Sequence, residues 1–164
     1  MTMTNLLVLL VCVPLLLSSC AAGIGRMSDR EKSERLATER GRLPDLRNPV
    51  DATRSQIMIS RILLDFIGDA VRDGDDEALA ALLPQYTAAI KGARNSMVDS
   101  DIDATRRPAG FKDLEIALRE QARLLTDLSR TVALEERDPL IAAIETASTI
   151  QSEMLELLFP QDRI

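Results

Sequence analysis

The chain of 164 residues carries 26 acidic and 20 basic side chains, for a formal net charge of −6, and has no histidine, no tryptophan and 2% aromatic residues. Without histidine there is no imidazole general base, no His-ligated zinc or haem, and no di-iron site of the carboxylate-plus-His kind. Nucleic acid is not an expected partner, because its binding relies on basic grooves and aromatic stacking surfaces.

The N-terminal segment is apolar and short. Residues 6–17 are Leu and Val with one Cys and one Pro, and no charged side chain occurs before Arg26. As a helix this run would reach about 18 Å, less than the ~30 Å hydrocarbon core of a bilayer. An apolar block of this length, followed by small residues, predicts a cleaved secretory signal peptide over residues 1–19.

The end of this segment, Leu17-Ser18-Ser19-Cys20, resembles the lipobox of bacterial lipoproteins. The resemblance implies cleavage before Cys20 and a thioether-linked diacylglycerol on its sulfur. We expect no other cofactor. Two or three acyl chains, at ~0.8 kcal/mol per buried CH2, hold a protein on membrane lipid essentially permanently. Ala21 follows the cysteine, which by analogy with enteric bacteria favours the periplasmic face of the outer membrane over the inner membrane.

Residues 20–47 form the next predicted unit, a lipidated cysteine followed by a polar tether with a dense mixture of charges. Ser28 and Glu31 have the spacing of a capping box, so a short helix is expected within the tether. Only Leu36 and Ala37 could be buried by that helix, too few for tertiary packing. We expect a solvated spacer, with a partner-binding helix as the alternative.

Residues 48–164 are predicted to form four helices, because their apolar residues recur in steps of three and four. Short connections make neighbouring helices antiparallel. The sequence therefore predicts an all-α fold, an antiparallel up-down-up-down four-helix bundle. The expected boundaries are Asn48-Pro49 to Gly74 for the first helix, Asp75 to about Met97 for the second, Pro108 or Phe111 to Val132 for the third, and Asp138-Pro139 to just before Pro160 for the fourth. A kink or short break is expected near Leu82, because Pro84 lies inside the second helix.

Several polar residues lie on or beside the predicted helix faces. Gln121 and Gln151 are either boundary residues whose amides reach water or members of a buried hydrogen bond that sets helix register. Asp65 and Asp69, one turn apart, are expected to point outward beside the apolar stripe of the first predicted helix.

The best metal-site candidate is Asp99-x-Asp101-x-Asp103, because alternating aspartates begin a calcium loop of the EF-hand kind. The match then fails, since Ala104 replaces the turn glycine and Gly110 stands at the position of the bidentate glutamate. We expect a solvated turn with no resident metal, and a calcium site is the alternative.

The fourth predicted helix ends in an unusually apolar group, Leu155, Leu157, Leu158 and Phe159. Core packing at the bundle end is the expected role, and an exposed patch for a partner or a second copy is the alternative.

Catalysis is not expected. A nucleophilic serine needs an activating base, and Lys32, Lys91 and Lys112 all lie outside Ser-x-x-Lys spacing. The sequence therefore predicts a membrane-anchored envelope lipoprotein that acts as a non-catalytic interaction or scaffold module for an envelope protein partner. The alternative is a periplasmic bundle that binds a small ligand or a cation.

Overall fold

The computed structural model describes residues 27–134 and 137–160, which form five α helices and a short 3-10 helix but no strand. The elements are α1 (Asp29–Arg42), the 3-10 helix (Leu43–Asp45), α2 (Pro49–Asp73), α3 (Asp76–Val98), α4 (Ala109–Ser129) and α5 (Arg137–Leu158). The all-α prediction is confirmed for this part of the chain. The predicted signal peptide and Cys20 lie outside the described residues.

Local signals account for the helix ends. The backbone N–H of Ser28 donates to Oε2 of Glu31 at 2.7 Å, and the N–H of Glu31 donates back to the Ser28 hydroxyl at 3.4 Å, so the predicted capping box is present. Asn48 and Asp75 cap α2 and α3 with their side chains. Gly74 ends α2 with a φ of 66°, a left-handed conformation that favours glycine.

Pro84 lies inside α3 without interrupting it. The helix is continuous from Asp76 to Val98, so the short break expected near Leu82 is not present. Proline leaves the carbonyl four residues earlier without its helical hydrogen bond. That residue is Ala80, which is exposed, so water can reach its backbone.

The core lies between α2, α3, α4 and α5. Helix α2 packs along α3 and also contacts α4, while α5 packs along α4 and also contacts α3. Arg54 pairs with Asp113 and Arg61 pairs with Glu120, which means that α2 and α4 run in the same direction. Most residues of the predicted stripes are buried; among the largest of them are Leu63, Ile67, Tyr86, Ile90, Met97, Phe111, Leu114, Leu118, Leu125, Leu140 and Met154.

Helix α1 differs from the solvated spacer expected for this part of the tether. It contacts α2, and Leu36 and Leu43 pack against the core. Lys32 and Glu39, both charged, are buried. The expectation was wrong on this point because it assumed that only apolar side chains can pack between helices. Charged side chains can also be buried there when each contacts an oppositely charged or hydrogen-bonding partner. The helix expected within the tether is therefore present, and it packs on the domain as a fifth helix beside the four predicted for residues 48–164.

Candidate functional site

A buried ammonium group attaches the start of α1 to the end of α2. Lys32 is 6% exposed, and its Nζ contacts the Asp65 carboxylate. The same Nζ lies 3.4 Å from Oδ2 of Asp69, 3.3 Å from Oδ1 of Asp29 and 5.6 Å from the centre of the Phe66 ring. Because Asp65 and Asp69 are one helical turn apart, both side chains reach the same cation. We call this group the lysine cluster.

Lys32 and Asp69 are both charged at neutral pH. The hydrogen bond to Asp65 raises the pKa of Lys32 above its ordinary value of 10.5, and this outweighs the lowering caused by burial. Burial raises the pKa of Asp69, but hydrogen bonds from Arg72 and Lys32 outweigh it and leave the pKa below the ordinary 3.8. The expectation that Asp65 and Asp69 point outward was therefore wrong, since both face α1, where Lys32 supplies the opposite charge.

A buried carboxylate makes the second attachment of α1, which we call the glutamate cluster. Glu39 is 1% exposed. Its Oε2 accepts a hydrogen bond from the buried Ser55 hydroxyl of α2 at 2.7 Å. Arg35 and Arg42, on the same helix, approach its two oxygens at 2.8 Å and 3.0 Å. Three donors thus compensate a charge that would be costly to bury alone.

The two clusters set the direction of α1. Lys32, early in α1, contacts Asp69, late in α2, while Glu39 contacts Ser55, early in α2. The two helices therefore run in opposite directions. Ile62 lies seven residues from both Ser55 and Asp69, hence on the same face of α2, and it is fully buried.

Gln121 and Gln151 both join helices. Gln121 is buried, and its Nε2 donates to the Ser60 hydroxyl of α2 at 2.9 Å, which itself donates to the carbonyl of Ile57. The buried hydrogen bond, one of two interpretations left open by the sequence, is confirmed for Gln121. Gln151 is half-buried and donates to Oε1 of Glu115 at 3.1 Å, linking α5 to α4.

Two polar atoms in the core lack a hydrogen-bond partner among the described residues. They are the hydroxyl oxygen of Tyr86 and Oε1 of Gln121. Burial raises the pKa of the Tyr86 phenol. The sequence placed Tyr86 correctly on the inner face of α3, but a periodic pattern carries no information on what its hydroxyl meets.

The aspartates proposed as calcium ligands do not converge. Oδ1 of Asp103 accepts hydrogen bonds from the hydroxyl and the backbone N–H of Thr105, at 2.7 Å and 2.8 Å, and these bonds lower its pKa. Oδ2 of Asp103 lies 3.5 Å from Nε of Arg106. Within residues 27–134 and 137–160, no three His, Cys, Asp or Glu side chains are placed to hold a metal ion, so Asp99 and Asp101 do not complete a site with Asp103.

The apolar end of α5 is divided between the core and the surface. Leu158 is 8% exposed and belongs to the core, whereas Phe159 is 66% exposed and Leu155 and Leu157 are also exposed. Leu157 and Pro160 line a shallow groove with residues at the end of α3 and the start of α4. We use the name terminal apolar patch for the three exposed residues at this end, Leu155, Leu157 and Phe159; Leu155 and Leu157, two residues apart, lie on different sides of α5, and only Leu157 borders the groove. Only part of the predicted group can therefore contact a partner.

The anchoring residue proposed from the sequence, Cys20, is not among the described residues. In the part of the chain that the structure describes, every helix is too short or too polar to cross a bilayer. Comparisons with protein-family models, curated proteins and solved structures found no match to this chain.

Proposed function

We propose that this chain is a bacterial envelope lipoprotein whose acylated Cys20 anchors a non-catalytic helical interaction or scaffold domain. The observation that carries the proposal is the apolar run of residues 6–17 followed by Leu17-Ser18-Ser19-Cys20. Ala21 after the cysteine favours the periplasmic face of the outer membrane. The partners are membrane lipid, through the acyl chains, and an envelope protein.

The finer architecture we infer is an antiparallel up-down-up-down arrangement of α2 to α5, with α1 packed on α2. Only residues 74–75 separate α2 from α3, and such a short connection makes consecutive helices antiparallel. The parallel direction of α2 and α4 agrees with this order. So does the pairing of Arg94 with Glu153 at 2.6 Å, which joins the later halves of α3 and α5.

The buried polar groups of the domain hold its helices together. Lys32, Glu39 and Gln121 each join one helix to another. Acylation would confine the domain to a membrane surface and so raise its effective concentration for neighbouring partners. The terminal apolar patch is the surface we assign to the envelope protein partner, because exposed apolar side chains gain free energy when a partner covers them.

The test of the anchor is the Cys20→Ala variant, expressed in a bacterium that processes lipoproteins. We expect the parent chain in the membrane fraction, with a mature mass that begins at acylated Cys20, and the variant without lipid and released from tight membrane association. Cys12→Ala is the matched control, because Cys12 lies in the segment to be removed. Mass spectrometry that finds Met1 at the terminus and a free thiol on Cys20 contradicts the proposal.

A further inference from the structure

We propose that docked α1 orients the domain on its membrane. The end that carries the corner between α2 and α3 faces the lipid, and the end that carries the terminal apolar patch faces away. This inference rests on the proposed acylation of Cys20. Helix α1 is then neither a spacer nor a partner-binding element but the part of the fold that decides which surface points outward.

The length of the linker makes the orientation possible. Residues 21–27 separate Cys20 from Ser28, the N-cap of α1. A fully extended chain advances at most about 3.6 Å per residue, so Ser28 lies within about 29 Å of the lipid attachment point. If α1 were undocked and extended, the same argument would allow Asn48, the N-cap of α2, to move about 100 Å away. Docking thus shortens the effective tether roughly threefold.

The lysine cluster determines which end is held near the membrane. Lys32 contacts Asp65 and Asp69, which lie nine and five residues before Gly74, the residue that ends α2. The linker therefore starts beside the corner between α2 and α3. At 1.5 Å per residue, the 25 residues of α2 extend about 37 Å from that corner.

The opposite end of the molecule contains the groove beside the terminal apolar patch. Met97 at the end of α3, Phe111 at the start of α4 and Leu157 near the end of α5 line that groove together. Val50, in the first turn of α2, and Met97 both lie close to Gly110. This end is therefore separated from the corner by the length of α2. An orientation set by α1 holds the patch away from the lipid, where a protein partner can reach it.

Paired charges contribute to holding α1 in place. The helix has 14 residues, a length at which isolated helices are marginal in water. Its buried residues are Lys32 and Glu39, each paired with α2. Undocking would leave Asp65 and Asp69 without their shared cation and expose the fully buried Ile62. A charge reversal at Lys32 is therefore the most direct way to release α1.

The test uses the chain from Cys20 onward, coupled through its single thiol to a maleimide lipid in phosphatidylcholine vesicles that contain dansyl-labelled headgroups. The sequence has no tryptophan, so one introduced tryptophan is the only efficient donor. Glu77→Trp places it near the α2–α3 corner, and Lys112→Trp places it at the opposite end, both at exposed positions. We expect several-fold more energy transfer from position 77 than from position 112. Equal transfer overturns the proposal.

Two substitutions in α1 test whether this helix causes the difference in energy transfer between positions 77 and 112. Lys32→Glu should undock α1 and bring the two transfer efficiencies together, whereas Arg30→Glu, with the same charge change at an exposed position of the same helix, should preserve the difference. An unchanged difference in Lys32→Glu overturns the proposal. If circular dichroism shows that Lys32→Glu does not fold, inserting about twelve Gly and Ser residues after Ala21 replaces it. That insertion should lower transfer from position 77, and an unchanged value contradicts the inference.

Because the coupling is chemical, these measurements do not depend on acylation in cells. A free thiol at Cys20 in cells contradicts the proposed function but does not affect the vesicle measurement. Equal energy transfer from the two tryptophans contradicts the proposed orientation but does not bear on the acylation of Cys20.

Discussion

Replacing Lys32 with alanine removes the cation of the lysine cluster and leaves Asp65 and Asp69 facing α1, each with 31% of its side chain exposed. Removing one partner of a fully buried ion pair destabilises a protein by about 3–5 kcal/mol, whereas an exposed pair contributes about 1 kcal/mol or less. The loss of stability in Lys32→Ala should lie between those limits. The two carboxylates are partly exposed, and Asp69 keeps its contact with Arg72. We expect a loss of about 2–3 kcal/mol, or about 10 °C in Tm.

The loss should depend on pH in a defined direction. The pKa of Asp69 is depressed below 3.8, so its contribution to stability is present above that value and is lost as the pH falls through the folded pKa. The pKa of Lys32 is raised above 10.5, so its contribution is present below that value and is lost as the pH rises through the folded pKa. The difference between parent and variant should therefore be constant from about pH 5 to pH 9 and shrink below about pH 4.

Urea unfolding followed by far-UV circular dichroism measures the difference, at several pH values. Arg30→Ala is the control, because its pair with Glu34 is on the same helix but has side chains 88% and 63% exposed. That variant should lose no more than about 0.5 kcal/mol. If Lys32→Ala is no less stable than Arg30→Ala, the lysine cluster does not hold α1 on α2.

Three further predictions concern single positions, and thermal unfolding checks each of them. Tyr86→Phe should raise the free energy of unfolding by about 1 kcal/mol, because it removes a buried hydroxyl that has no partner among the described residues; a clear loss would show that the hydroxyl is hydrogen-bonded. Gly68→Ala should stabilise α2 by up to about 1 kcal/mol, since nothing lies within 4 Å of the added Cβ. Gly74→Ala should destabilise by about 1 kcal/mol, because an alanine at a φ of 66° is strained. If Gly68→Ala and Gly74→Ala change Tm in the same direction, the result contradicts the assignment of Gly74 as the end of α2.

Most of the secondary structure could be predicted because its signals are local. The capping box of Ser28 and Glu31, the cap at Asn48 and the stop at Gly74 depend on neighbours within a few residues. The inner faces of the helices could be predicted for a related reason, since a 3.6-residue period places apolar side chains on one side. Leu158 and Phe159 show where this prediction is insufficient. They are adjacent apolar residues, but their positions at the end of α5 leave Leu158 buried and Phe159 exposed.

The sequence by itself therefore determined where the helices lie and which of their faces are apolar. Only the tertiary structure decided what the buried polar groups meet on other helices, because those partners are distant in the chain. Lys32 contacts Asp65, Glu39 contacts Ser55 and Gln121 contacts Ser60, and in each pair the two residues lie on different helices. Burying a charge is unfavourable until its partner is in place, so the burial of α1 could not be inferred from the composition of its own segment.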